Sequence, residues 1–157
     1  MKPWSKLQSK LYNLMSDNVH FQIHCSVYRM QSQNGSTDLP RYWITIGKEI
    51  IWDYPKQFIK DGKLRTTDGT ELHYPYENEI SDISNLIREY IDTPKSDLLT
   101  KTFTHDKWFV TPLFLANDRR LGKAALYNYI ATFQHDSNCK TTCIEQITKI
   151  VELRFNP

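Results

Sequence analysis

The chain has 157 residues, 39% of them apolar and 13% aromatic, with 20 Lys and Arg against 18 Asp and Glu. That length is the size of one domain, expected here over residues 1–157, and the aromatic content supplies enough area for a real core. A net charge of +2 is too small to imply nucleic acid or membrane binding by itself, and no segment reaches the length of a membrane span.

The charge is unevenly distributed: residues 1–60 carry net +4, residues 61–100 net −5 and residues 101–157 net +3. Such a pattern suits complementarity between parts of one fold as well as solvated faces. Three cysteines, an odd number, argue for free thiols in a reducing compartment. Met1-Lys2-Pro3-Trp4-Ser5 offers no apolar run for a signal peptide. A cytoplasmic location is expected.

Leu7, Leu11, Leu14 and Met15 fall at helical spacing and predict a short amphipathic helix from Trp4 to Met15. From Val19 the period becomes two: Val19, Phe21, Ile23, Cys25 and Val27 alternate with His20, Gln22, His24, Ser26 and Tyr28, as in a half-buried strand. Gln33 to Asp38 reads as a loop. Leu39 to Pro55 is then dense in β-branched and aromatic residues and breaks once, at Gly47-Lys48. Gly at the first central position is the demand of a type II′ hairpin turn. A regular hairpin on that turn places Trp43 opposite Trp52. One face carries Arg41, Trp43, Thr45, Ile50, Trp52 and Tyr54, and the other Tyr42, Ile44, Ile46 and Ile51; a one-residue slip of the second strand would exchange its faces.

Asp61-Gly62 and Asp68-Gly69 mark two turns, with a small edge hairpin expected between Lys63–Thr66 and Thr70–Tyr74. Ile80, Ile83, Leu86, Ile87, Tyr90 and Ile91 define a helix over Glu77–Asp92, its N-terminal end rich in acidic residues that suit the helix dipole. Thr93-Pro94 and Thr111-Pro112 each read as an N-cap followed by Pro at N1, opening helices through Leu98-Leu99 and through Ala116. Asn117-Asp118 interrupts or kinks the second. Leu121, Ala125, Leu126, Tyr129, Ile130 and Phe133 continue helically, with Gly122 weakening the start. Thr142-Cys143-Ile144-Glu145 matches a capping box for a last helix through Phe155. The fold class is α+β: an antiparallel sheet of three to five strands from the N-terminal half, packed against helices mostly from the C-terminal half.

Ser26-Val27-Tyr28-Arg29, Asp38 to Ile44, Ile51-Trp52-Asp53-Tyr54-Pro55, Ile80 to Ser84 and Asp118 to Lys123 together resemble segments of a family of small uncharacterised bacterial proteins. The likeness covers most of the chain and implies a bacterial cytoplasmic protein. It carries no activity, cofactor or catalytic residue.

Chemistry has few footholds. His20 and His24 lie about 13 Å apart on an extended strand, too far for one metal ion. His135, Cys139 and Cys143 would form a stripe able to hold zinc on a continuous helix, but Asp136-Ser137-Asn138 interrupts it, so no metal and no cofactor are expected. His24-Cys25-Ser26 and His135-Asp136-Ser137 each fit the His-x-Ser motif of two-histidine phosphoesterases. Only the first sits in a strand-like context. The basic cluster Asp118 to Lys123 offers Arg119 and Arg120 as forks for an anion, or as partners for the acidic helix around Glu79 and Asp82. A helix-turn-helix over residues 112–132 is the outline of a nucleic-acid reading.

The leading expectation is a non-enzymatic module that binds a partner protein or small anionic ligand through Arg41, Trp43, Trp52, Arg119 and Arg120. The competing class is a phosphoester-hydrolysing enzyme using His24 and Ser26, and nucleic-acid binding through residues 118–123 comes third. If helices cover the face with Trp43, Trp52 and Tyr54, those rings are core instead.

Overall fold

The computed structural model describes residues 4–32, 35–54, 59–60, 63–64, 81–106, 110–133 and 141–155, with the backbone alone for 26–32, 35–41, 59–60, 63–64, 81–82, 133 and 141–143. Within them, helix α1 (Trp4–Tyr12) precedes the strands β1 (Phe21–Ser32), β2 (Gly35–Ile46) and β3 (Glu49–Tyr54). Two short strands, β4 (Ile59–Lys60) and β5 (Lys63–Leu64), pair across the Asp61-Gly62 position. Helices α2 (Ser81–Ile91), α3 (Thr111–Asn117), α4 (Lys123–Phe133) and α5 (Thr141–Phe155) follow. The fold is α+β, with a three-stranded antiparallel sheet in the order β1-β2-β3. The second strand expected for the edge hairpin, at 70–74, lies outside the described residues.

β1 and β2 pair along their whole length, from Phe21 opposite Ile46 to Ser32 opposite Gly35. Gly47 has φ +59° and Lys48 stays out of the left-handed region, as a type II′ turn requires. The turn therefore sets the expected pairs Ile46 with Glu49 and Thr45 with Ile50. Beyond them the register departs from the sequence expectation. A bulge opposite Ile44/Thr45 makes Trp52 the partner of Ile44, Asp53 of Trp43 and Tyr54 of Tyr42.

The extra residue is Ile51, and it lets Ile51 and Trp52 both be buried. A regular ladder would have turned Asp53 toward the core and Trp52 and Tyr54 away from it. Burying a carboxylate in place of two aromatic rings is the worse outcome by a wide margin, so the strand takes the bulge. Trp43 and Trp52 consequently lie on opposite faces of the sheet.

The helices cover the face carrying Phe21, Ile23, Tyr42, Ile44, Ile46, Trp52 and Tyr54, all buried. Trp4 of α1 packs on Tyr42 with ring centroids 5.6 Å apart, and Trp52 stacks on Tyr54 at 6.4 Å. Phe21 meets Phe114 of α3 edge-on at 6.0 Å, and Phe114 meets Tyr90 of α2 edge-on at 5.2 Å. This aromatic relay joins sheet, α3 and α2. Helix α1 also guards the outer edge of β1: Gln8 Nε2 donates to the Ile23 carbonyl at 2.7 Å. The Tyr12 hydroxyl donates to that carbonyl and accepts from the Ile23 amide, both at 3.1 Å. Satisfying an edge strand's main chain with side chains removes a template for pairing with another chain.

Three local expectations are adjusted. Helix α1 stops at Tyr12 rather than Met15 because the chain beyond is taken into a bridge between Met15 and Asp118. Ser16 N donates to the Asn117 carbonyl there, and Arg119 N to the Leu14 carbonyl. His20 precedes β1 in a left-handed conformation, φ 52° and ψ 49°, a region that histidine tolerates better than most residues; its carbonyl accepts the Gly47 amide. Thr93 closes α2 instead of opening the next helix, its hydroxyl donating to the Glu89 carbonyl at 2.7 Å, and only a 3-10 turn, Lys95–Asp97, follows.

Candidate functional site

The outer face of the sheet is set by parity along β1 and β2. Gln22, His24, Trp43 and Thr45 alternate with the core residues, and Ile50 and Asp53 join them from β3 through the pairs Thr45–Ile50 and Trp43–Asp53. His24 and Trp43 are cross-strand partners, and their rings stack 5.0 Å apart with planes 15° from parallel. A hydrogen bond of 3.1 Å joins His24 Nε2 to Thr45 Oγ1. Trp43 is half-buried, whereas Ile50 is 51% exposed. The result is a flat aromatic and apolar patch whose two rings are held in place by the ladder beneath them.

Burial lowers the His24 pKa below the ordinary histidine value, because covering the ring with an indole disfavours the charged form. Folding stability tied to this group is fully present above the unfolded pKa and falls as pH drops through that value toward the folded one. The imidazole is expected to titrate below about 6.5 in wild type and to move back toward that value in Trp43→Ala. Proton NMR of the ring measures both, and a midpoint unchanged by the substitution would refute the stack as the cause.

The five residues expected to form one binding surface are not brought together. Trp52 is 3% exposed, in the core. Trp43 is on the opposite face. Arg41 sits on β2 opposite Ser26, with both side chains outside the described set. Arg119 is exposed at the junction of α3 and α4. Arg120 is committed inward: Nη2 lies 2.7 Å from Asp118 Oδ2 and Nε 3.0 Å from Oδ1, while Nη1 donates to the Thr93 carbonyl at 3.2 Å.

Asp118 was legible in the sequence only as part of a basic cluster, yet it is the centre of a buried polar knot. It is fully buried and accepts the Tyr90 hydroxyl at 2.6 Å. Its backbone bridges to Met15. Burial, reinforced by the carboxylate, holds the Tyr90 phenol well above its ordinary pKa, so it stays a donor. Hydrogen bonding to Asp118 raises the Arg120 pKa further. Arg154 of α5 completes the knot by donating to the carbonyls of Ala116, in the last turn of α3, at 3.0 Å and of Leu121, in the turn before α4, at 3.1 Å, the first of which would otherwise be orphaned at the helix end. Asp118 and Arg120 thus join the segment after α1 to α2, α3 and α5, while Arg119, Gly122 and Lys123 of the cluster are exposed. The alternative pairing with Glu79 and Asp82 involves side chains outside the described set.

His135, Ser137 and Cys139 also lie outside the described residues, as does the Cys143 side chain. Cys25 is a free thiol whose pKa is raised by burial. No group of three His, Cys, Asp or Glu side chains suited to a metal ion occurs among the described residues. Likewise, no helix among them is long and apolar enough to cross a membrane.

No curated protein and no solved structure matches the chain. The model of one family does, over residues 3–146, a span that includes the His24–Trp43 stack, the bulged strand and, of the Asp118 knot, Tyr90, Asp118 and Arg120. The chain belongs to the SF0329 protein family.

Proposed function

We propose that the chain is a non-enzymatic binding module that takes a partner protein on the outer face of its sheet. The observation that supports this reading is the His24–Trp43 stack beside the exposed Ile50. A pre-positioned indole next to an exposed aliphatic side chain is the composition of an interface centre, where aromatic anchors contribute most of the affinity. A protein suits the patch better than a small anion. The register partner of Trp43 is a carboxylate, Asp53, which disfavours an anion. A basic or apolar residue of the partner is the complement. The odd cysteine count supports a cytoplasmic setting, and the family likeness a bacterial one.

The test compares partner capture from a bacterial lysate by wild type, Trp43→Ala, Ile50→Asp and Leu153→Ala, the last an exposed residue of α5. One protein should be captured by wild type and Leu153→Ala and lost from both sheet variants, with circular dichroism unchanged. Capture indifferent to Trp43 and Ile50 rejects the surface. Hydrolysis of a phosphodiester by wild type but not by His24→Ala would instead establish the enzyme reading that His24 and Ser26 suggest.

A further inference from the structure

Between the end of α1 and the start of β1 lies a cleft of about 240 Å³, open to solvent. Tyr12, Met15 and Phe21 form its apolar floor, and the exposed side chains of Asp17, His20 and Gln22 rim it.

The frame around the cleft is fixed from several sides. Ser16 Oγ donates to Asn18 Oδ1, and Asn18 Nδ2 donates to the carbonyls of Leu153 at 3.3 Å and Arg154 at 2.9 Å. The 3-10 turn Asp17–Val19 is thereby tied to the end of α5. His20 is tied to the hairpin turn through the Gly47 amide, and Gln22 is paired with Thr45 in the ladder. The side chains of Asp17, His20 and Gln22 nonetheless make no hydrogen bond or ion pair with another described residue. Their backbones are held while their polar groups stay unspent. His20 adds a second sign, being the one non-glycine residue with positive φ among those described. Glycine takes that conformation without steric cost, so the backbone gives no reason for a histidine there. Residues held in such conformations cluster at functional sites, ligand clamps among them.

We infer that this cleft binds a primary ammonium group carried on a small apolar body, the body resting on Tyr12, Met15 and Phe21. Charge selects the class: counting histidine as neutral, the lining holds one formal charge, the Asp17 carboxylate. Hydrogen bonding narrows it. A carboxylate, an imidazole nitrogen and a carboxamide oxygen offer three acceptors, and an ammonium group has three donors. The rings of Tyr12 and Phe21, edge-on at 6.4 Å, suit a cation as well as an apolar body. Trp43 and Ile50 do not line the cleft, so the inference is independent of the partner surface.

Benzylammonium and benzyl alcohol are the probes, titrated into the full chain and followed by amide NMR. Benzylammonium should give saturable shifts at Asp17, His20, Phe21 and Gln22, with a dissociation constant on the order of millimolar. Benzyl alcohol, the same shape without the charge, should bind about fivefold more weakly, and Asp17→Asn should weaken benzylammonium about fivefold, the effect of one exposed ion pair. His20→Gly should also weaken it while preserving the urea midpoint, since glycine accepts the left-handed backbone. Nα-acetyl-lysine methylamide separates the sources: tighter binding than benzylammonium assigns the cleft to a lysine side chain, weaker binding to a free amine. Absence of saturable shifts at these residues overturns the site. So does equal affinity for the alcohol, or wild-type affinity in Asp17→Asn or His20→Gly.

Discussion

Asp118→Ala is expected to cost about 3–5 kcal/mol of folding stability, the range for removing one partner of a buried ion pair. The carboxylate is fully buried and receives the Tyr90 hydroxyl, the Arg120 side chain and the Arg120 amide, the last at 2.9 Å. Its loss leaves a buried phenol without its acceptor and a partly buried guanidinium with the Thr93 carbonyl but no counter-charge, so desolvation is no longer offset. Tyr90→Phe removes a single donor to the charge and should cost about 1.5–3 kcal/mol. The double variant should lose less than the sum, because the two groups share one bond. Urea denaturation measures all three; a loss below about 1 kcal/mol in Asp118→Ala would show that the knot does not hold the helices together.

The two tryptophans of the sheet should respond in opposite ways. Trp52→Ala truncates a core ring that is 3% exposed and stacked on Tyr54, which costs about 3–5 kcal/mol as a cavity. Trp43→Ala removes a half-buried ring that stacks on His24, and aromatic pairs of that kind contribute about 0.5–1.5 kcal/mol beyond area burial. The bulge makes this difference. Without it both indoles would stand side by side and the two losses would match. Equal losses in chemical denaturation would therefore overturn the register itself.

The part of this protein that its sequence determines by itself is the part governed by neighbours along the chain. Period-two alternation from Phe21 to Cys25, the Gly47 turn, and the 3.6-residue spacing of Ile83, Leu86, Ile87 and Tyr90 each need only a few consecutive residues to be read. These suffice for the α+β class, the three-strand order and the positions of the main helices. The Ile51 bulge carried one legible sign. A regular hairpin turns Asp53 to the face of Ile44 and Ile46, a conflict between alternation and charge that an extra residue relieves.

Tertiary structure alone decided the rest, because it depended on which surfaces met. Asp118 sits between two helical runs in a cluster of basic residues, and nothing nearby in the chain distinguishes a solvated aspartate from a buried one. It became the centre of the fold when Tyr90, 28 residues away, and Arg154, on the last helix, closed on the same turn. Thr111 looked like a cap until Asp106 reached its amide first. Arg120 was drawn inside and Arg119 left outside although they are adjacent, since Asp118 and the Thr93 carbonyl lie on one side of the turn only. Which polar groups find partners is settled by distant chain segments arriving together, and that choice separated the residues that hold this protein together from those left to meet something else.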